Sequence, residues 1–287
     1  MSFAKAAAEL NVTPAAVSQQ IKALEDYLGV ALFRRTQRAL FLTETAQAIL
    51  PAATAGFDLL ASVLTRARSR VAGERLVVSV TPSFAAKWLM PRLEDFIAGH
   101  AGIDIRIDTS SRLVDFLRED IDMAVRYGGG AWPGLTITPL MAEQVYPVCS
   151  PRLQKSRHPL RAPADLRHYT LIHDDSLPDG SAFPSWSGWL EAAGAPGVDT
   201  SRGLHVNASM VAIQAAIDGQ GVALGRSVLV EDDLATGRLV RPFALTLPLR
   251  FGYYIVHPKT LPNDSQVPRF SRWLLAQARR MTRVKRA

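Results

Sequence analysis

Residues 3–25 read FAKAAAELNVTPAAVSQQIKALE, and the way this stretch divides decides the fold of the N-terminal part. From Phe3 to Leu10 it is alanine-rich and sets Phe3, Ala7 and Leu10 on one face, which predicts a short helix. Asn11 and Val12 interrupt it. Thr13 followed by Pro14 then starts a second helix, because the threonine hydroxyl can cap free backbone N–H groups and proline at the first helical position has no N–H to lose. This helix is predicted from Pro14 to about Tyr27, ending at Gly29. Val17, Ile21 and Leu24 share one of its faces, and Ala15, Ser18, Gln19 and Lys22 share another. The solvent face of an ordinary helical hairpin carries long charged side chains; this one is small and polar. Small residues allow close approach to a base edge, Ser18 and Gln19 can hydrogen-bond to bases, and Lys22 can reach a phosphate. Two short helices around a tight turn with such a face predict an all-α helix-turn-helix that binds DNA, with Thr13 at its edge.

Working outward, LFRRTQRALFLT from Leu32 to Thr43 alternates basic and apolar residues around a turn. It predicts a β-hairpin wing projecting Arg34, Arg35 and Arg38 towards phosphates or a narrow minor groove. The run from Ala7 to Glu25, then Leu28-Gly29-Val30 and Leu32-Phe33-Arg34-Arg35, resembles the DNA-binding segment of LysR-type regulators in both order and spacing. The resemblance implies a winged helix-turn-helix (residues 1–43) acting on double-stranded DNA as a dimer of dimers, a tetramer, with RNA polymerase as a further partner. Members of that family carry another helix before the segment matching Phe3, packed under the helix-turn-helix. With Met1 almost at the motif, the expectation is a start assigned too far downstream or a truncation, either of which deprives Phe3, Ala7 and Ile21 of an apolar partner.

Beyond the wing, Ala46, Leu50, Ala53, Phe57, Leu60, Leu64 and Ala67 alternate spacings of four and three. That is a heptad seam and predicts a dimerisation helix over residues 44–70, with Pro51 inside it. From Arg75 the pattern changes to short apolar strands alternating with helices, which predicts an α/β, two-lobed, periplasmic-binding-protein-like effector domain over 75–287. Lobe I is expected at 75–161 and 261–287 and lobe II at 162–260, with crossings near Arg161 and Thr260. Ligands in such sheets sit beyond the carboxyl ends of strands, beside helix N-termini. Four clusters fall there: Thr81, Ser83 and Phe84; Arg126 and Tyr127; His173; and Asn207 with Ser209. Hydroxyls beside a helix N-terminus suit a carboxylate or other anion, so a small, anionic effector is expected and no cofactor.

The segments Val80-Thr81-Pro82-Ser83-Phe84-Ala85, Trp88-Leu89, Pro91-Arg92-Leu93, Ala124-Val125-Arg126-Tyr127-Gly128, Trp132-Pro133-Gly134-Leu135 and Ala215 to Leu224 look like the glycine-cleavage activator group of LysR regulators, which includes β-lactamase regulators. Members answer to different effectors, so the resemblance implies a ligand without naming it.

Bulk properties agree with a cytoplasmic protein. Its 287 residues suit two or three compact units. The single cysteine, Cys149, excludes an internal disulfide and a multi-thiolate metal site. No signal peptide is evident and the apolar runs are too short to span a bilayer, so no membrane partner is expected. The net charge is +7, but Arg279, Arg280, Arg283, Lys285 and Arg286 crowd the last residues and the remainder carries only +2. That tail is read as a solvated, frayed end. An enzyme is not expected: the six histidines lie far apart, Cys149 has no motif partner, and Gly128-Gly129-Gly130 lacks the Gly-Lys-Ser/Thr of a phosphate loop, so it is read as a flexible turn. The reading is a sequence-specific DNA-binding transcription regulator modulated by a small effector. A truncated relic that dimerises and binds ligand but binds DNA poorly, and a solute-binding protein, remain as alternatives.

Overall fold

Helix α1 (Phe3–Glu9) starts where the Ser2 hydroxyl accepts the Lys5 N–H, and α2 (Pro14–Leu28) where the Thr13 hydroxyl accepts the Ala16 N–H at 3.2 Å. Between them Asn11 takes a φ of 53°, a left-handed conformation that a short amide side chain tolerates. Gly29, at φ 70°, ends α2. Strand β1 (Phe33–Arg35) pairs antiparallel with β2 (Leu40–Leu42), and α3 (Glu44–Arg70) follows, running through Pro51. The computed structural model describes residues 2–35, 40–70, 74–176 and 185–284. The chain divides into two compact units, Met1–Arg68 and Ser69–Ala287.

The first unit has a thin core. Ala7, Leu32 and Ala46 are buried, the Phe3 ring meets Phe33 edge-on at 5.2 Å, and no residue of α2 is fully buried. On α3 the heptad positions Phe57, Leu60 and Leu64 stand 73%, 59% and 62% exposed.

In the second unit β3 (Glu74–Val80) leads into a continuous helical run made of α4 (Pro82–Phe84), a π-helical turn (Ala85–Leu89) and α5 (Met90–Gly99). Then come β4 (Ile103–Thr109), β5 (Met123–Gly128), the long β6 (Leu135–Cys149), α6 (Pro151–Gln154) and a 3-10 turn (Pro163–His168). They are followed by β7 (Leu171–Asp174), α7 (Trp186–Ala192), β8 (Leu204–Val206), α8 (Ser209–Ile217), β9 (Val222–Arg226) and α9 (Ser227–Ala235). The long β10 (Leu247–Pro258) and α10 (Val267–Val284) close the chain. All eight strands form one sheet in the order β4-β3-β5-β10-β6-β9-β7-β8. Its outer thirds, β4-β3-β5 and β9-β7-β8, are parallel; the joining pair β10 and β6 is antiparallel. This is a two-lobed α/β arrangement in which two strands belong to both lobes.

Those strands move the expected crossings. Leu135 to Ala142 of β6 pair with Gly252 to Pro258 of β10; past a register break Gln144 and Val145 pair with Pro248 and Leu247, and Val145 to Cys149 pair with β9 on the other edge. The register of β10 breaks between Pro248 and Gly252. The chain therefore passes between lobes inside β6 and β10, earlier than the expected points near Arg161 and Thr260. The physical reason is core membership: Val145, Cys149 and Leu160 already pack with Leu171 and Trp189 of the second lobe, and Val256 packs with Val77 and Ala124 of the first.

Two further expectations change. The triple glycine is a packed turn: a Cβ on Gly130, whose φ is +85°, would lie 2.9 Å from the Tyr254 ring, and one on Gly128 3.0 Å from Trp132. The basic C-terminal stretch continues α10 as far as Val284 instead of fraying, because Phe270, Leu274, Ala278 and Met281 anchor its inner face. Lys285 and Arg286 lie outside the described residues.

Candidate functional site

On α2 the expected reading face is available. Ala15, Gln19 and Lys22 are exposed and Ser18 is half-buried. Thr13 is exposed too, with its hydroxyl engaged as the helix cap. Arg34 is exposed on β1, its guanidinium 5.7 Å from the Phe41 ring centre. The Arg35 side chain and Arg38 lie outside the described residues. One residue that sequence reasoning passed over fixes the hairpin to the helix: Glu25 Oε1 accepts the N–H groups of Leu32 at 2.7 Å and Phe33 at 3.0 Å. Thr43 closes the base by donating its hydroxyl to the Ala31 carbonyl at 2.8 Å. An acid near the end of a helix, with the hairpin's free N–H groups a few residues on, was the available signal.

In the second unit a charged centre is buried where the two lobes share strands. Arg226, the last residue of β9, is 7% exposed. Its Nη2 donates to the Ser209 hydroxyl at 2.7 Å, its Nε lies 3.9 Å from Glu143 Oε2, and its guanidinium sits 4.6 Å from the Tyr127 ring centre. The Ser209 hydroxyl also meets that of Ser176 at 3.0 Å. Glu143 Oε1 accepts the Val228 N–H at 2.7 Å, at the start of α9. Aromatic rings wall the centre: Tyr253 packs 5.2 Å from Tyr127 and 4.8 Å from Phe84, and Phe84 stacks on Trp88. Helix α4 packs against α8, and Thr81 and Ser83, just before and within α4, are half-buried.

Electrostatics follow from this burial. Burial opposes the Arg226 charge, but Tyr253, Glu143, Tyr127 and Asp174 outweigh it and hold its pKa above the ordinary value. Burial pushes Tyr127 up to about 12 and Tyr253 well above its usual range, so both phenols stay protonated. Arg226 Nε and the Tyr253 hydroxyl are buried here without a hydrogen-bond partner in the protein, Nε lying only within ion-pair distance of Glu143 Oε2. Buried polar groups are normally satisfied, so two such atoms in one centre suit recognition of an acceptor-bearing ligand.

Of the expected effector residues, Phe84, Tyr127 and Ser209 meet at this centre, and Thr81 and Ser83 are neighbours of Phe84 in the chain. Arg126 does not join them. Side chains alternate along a strand, so Arg126 faces the opposite side of β5 from Tyr127, where its Nη2 donates to Ser79 at 2.7 Å and burial lowers its pKa to about 10. His173 is also turned away. It stacks on His205 at 4.2 Å, and His205 pairs with Asp175 at 3.0 Å, while Asp174 is the β7 residue whose charge reaches Arg226. Asn207 lines an open depression of about 360 Å³ with Asp175, His205, Val206 and Val211. Cys149 is a buried core thiol whose pKa burial pushes up to about 12. No helix among the described residues is long and apolar enough to cross a membrane, and no group of three or more His, Cys, Asp or Glu among them could hold a metal ion.

The comparisons with known proteins cover both units. Residues 1–47 match the family described as bacterial regulatory helix-turn-helix protein, lysR family, and residues 69–279 match the LysR substrate binding domain. The chain is 41% identical over 278 residues to the glycine cleavage system transcriptional activator of Escherichia coli strain K12, covering 97% of this chain and 89% of the relative. It is likewise 41% identical over 277 residues to the HTH-type transcriptional activator AmpR of Rhodobacter capsulatus, covering 96% and 92%. Among solved structures, the effector domain of AmpR from Pseudomonas aeruginosa matches 74% of this chain and all of that one, with a TM-score of 0.61 and 32% identity. CrgA of Neisseria meningitidis covers 96% of this chain with a TM-score of 0.57 at 20% identity, a likeness of fold. A helix-turn-helix with an open reading face, a two-lobed effector domain and these matches together place the chain in the LysR family of DNA-binding transcription regulators.

Proposed function

We propose that a small effector carrying a carboxylate or comparable anionic acceptor binds at the Arg226 centre and that this binding sets the regulator's output. The observation that carries the reading is the buried guanidinium whose Nε lacks a protein hydrogen-bond partner, beside the equally unpartnered Tyr253 hydroxyl. Ser209, Tyr127, Phe84, Thr81 and Ser83 supply the surrounding polar and aromatic wall. On DNA, Ala15, Ser18, Gln19 and Lys22 read bases or phosphates, with Thr13 beside them, and the wing arginines Arg34, Arg35 and Arg38 hold the backbone. The exposed row Phe57, Leu60 and Leu64 supports pairing of α3 with a second copy, giving a dimer and then a tetramer. The protein works in the cytoplasm, where RNA polymerase is its further partner.

The test has two parts. A footprint of the purified full chain on the DNA upstream of its own gene should show a dyad-symmetric protected site, and Gln19→Ala should weaken or re-aim it. Unchanged protection by Gln19→Ala would refute the reading face. A thermal-shift panel of small carboxylates and phosphates should then stabilise the wild-type chain but not Tyr253→Phe or Arg226→Lys. A ligand that stabilises all three equally would place the effector elsewhere.

A further inference from the structure

The arginines of the C-terminal helix form an organised surface. Helix α10 contains no acidic residue. Val267, Phe270, Leu274, Ala278 and Met281 face the core, where Phe270 meets Phe96 edge-on at 4.9 Å. Arg269, Arg272, Arg279 and Arg280 are exposed. Arg272, Arg279 and Arg280 follow Arg269 at offsets that keep all four within an arc of about 100° on one side of the helix, and Arg283 falls in the same arc by sequence. At 1.5 Å per residue the row from Arg269 to Arg280 is about 16 Å long, roughly half a helical turn of duplex DNA. Among the described residues, the one ion pair formed by an α10 arginine is Arg280 with Asp95 at 4.0 Å, and both side chains are mostly exposed.

We propose that this face is a second, sequence-independent DNA contact, gripping the phosphate backbone of double-stranded DNA. Three features select that partner. The apolar side of α10 is already spent on the core, so the helix cannot insert into a lipid interface. The outer row offers no large apolar or aromatic anchor of the kind that centres a protein interface, with only Ala276 between the arginines. Arginine forks without interspersed acids match phosphate oxygens, and a member of a DNA-binding regulator family meets duplex in its working state. The proposal uses the family assignment and is independent of which residues read bases or bind effector.

The experiment compares the full-length wild type with Arg269→Ala/Arg272→Ala/Arg279→Ala and with the matching triple lysine variant. Binding to a random-sequence duplex is followed by fluorescence anisotropy between about 50 and 200 mM salt. Each lost phosphate contact lowers the slope of log affinity against log salt by about 0.9, so the alanine variant should lose roughly 2.7. The lysine variant should retain most of the slope, and tryptophan-monitored melting of all three proteins should coincide. A slope unchanged in the alanine variant, or lost as fully in the lysine variant, would overturn the proposal; the first result would instead assign the row to an acidic protein surface.

Discussion

Replacing Glu143 by alanine tests the electrostatic account of the buried centre most directly. The substitution removes the carboxylate that lies 3.9 Å from a guanidinium only 7% exposed, and it also removes the acceptor of the Val228 N–H at the start of α9. Breaking one partner out of a buried charged pair costs about 3–5 kcal/mol, because the remaining charge keeps its desolvation penalty without its compensation. In a unit of this size each kcal/mol lowers the melting midpoint by about 2–4 °C, so a drop of about 10 °C is expected. The five tryptophans, Trp88, Trp132, Trp186, Trp189 and Trp273, all lie in the second unit, so their fluorescence reports its melting alone. Adding Arg226→Met removes the stranded charge and should recover about half of the loss or more. A single-variant cost below about 1 kcal/mol, or a double variant no more stable than the single, would refute the reasoning.

Glu25→Ala should release the hairpin from α2 by removing the acceptor shared by Leu32 and Phe33. Affinity for the footprinted site should fall about tenfold, equivalent to about 1.4 kcal/mol, with helix content unchanged by circular dichroism; unchanged affinity would mean that the wing holds its place without it. Gly130→Ala should cost about 1–3 kcal/mol in urea unfolding, since its φ of +85° and the Tyr254 ring both oppose a side chain; a cost of a few tenths would show a loose turn. His173 has a pKa below its model-peptide value of 6.5, from burial and from the charge of His205. A base held below its unfolded pKa is protonated more readily in the unfolded chain, so stability is fully present above pH 6.5 and is lost as pH falls from there through the folded pKa. His173→Gln should flatten that part of the stability–pH curve, and an unaltered curve would count against the assignment.

The helix-turn-helix was legible because its signals are local. Thr13 and Pro14 start a helix wherever they stand together, and a face of Ala15, Ser18, Gln19 and Lys22 is set by helical spacing alone. The Arg226 centre was half legible for the opposite reason. Phe84, Tyr127 and Ser209 lie at strand ends or helix starts, where topology predicts ligands. Tyr253, Glu143 and Arg226 lie within or at the end of strands, and only the pairing of Tyr253 with Tyr127 and of Val145 with Arg226 brings them together. A signal was present: Glu143 and Arg226 are charged residues in strongly apolar surroundings, where charge is costly unless it is paired or functional. Arg126 does not share the centre with Tyr127, because the two-residue period of a strand sends sequence neighbours to opposite faces. The lobe crossings were misplaced because a strand as long as β6 serves both halves, and its apolar pattern does not change where it changes partner.

That shared strand also explains how an event at Arg226 can reach the rest of the domain. Glu143 stands between Ala142, which pairs with Gly252 of β10, and Val145, the first β6 residue to pair with β9, so the residue that answers Arg226 occupies the break in the β10 register where β6 gains its second partner. The same carboxylate fixes the first turn of α9 through Val228, and α9 in turn grips the helical run of the first lobe. Arg92 donates to Asp232 through both Nη atoms, at 2.8 and 2.7 Å, and Lys87 reaches the buried Asp233 at 3.1 Å. A ligand shifts a conformational equilibrium only by as much as it binds the two arrangements unequally. An anionic group competing with Glu143 for Arg226 meets that requirement, because the strength of its bond to Arg226 depends on where β6 and α9 hold Glu143. A path of contacts thus runs from one guanidinium through a single carboxylate to the strand crossing and to the ion pairs that join the lobes.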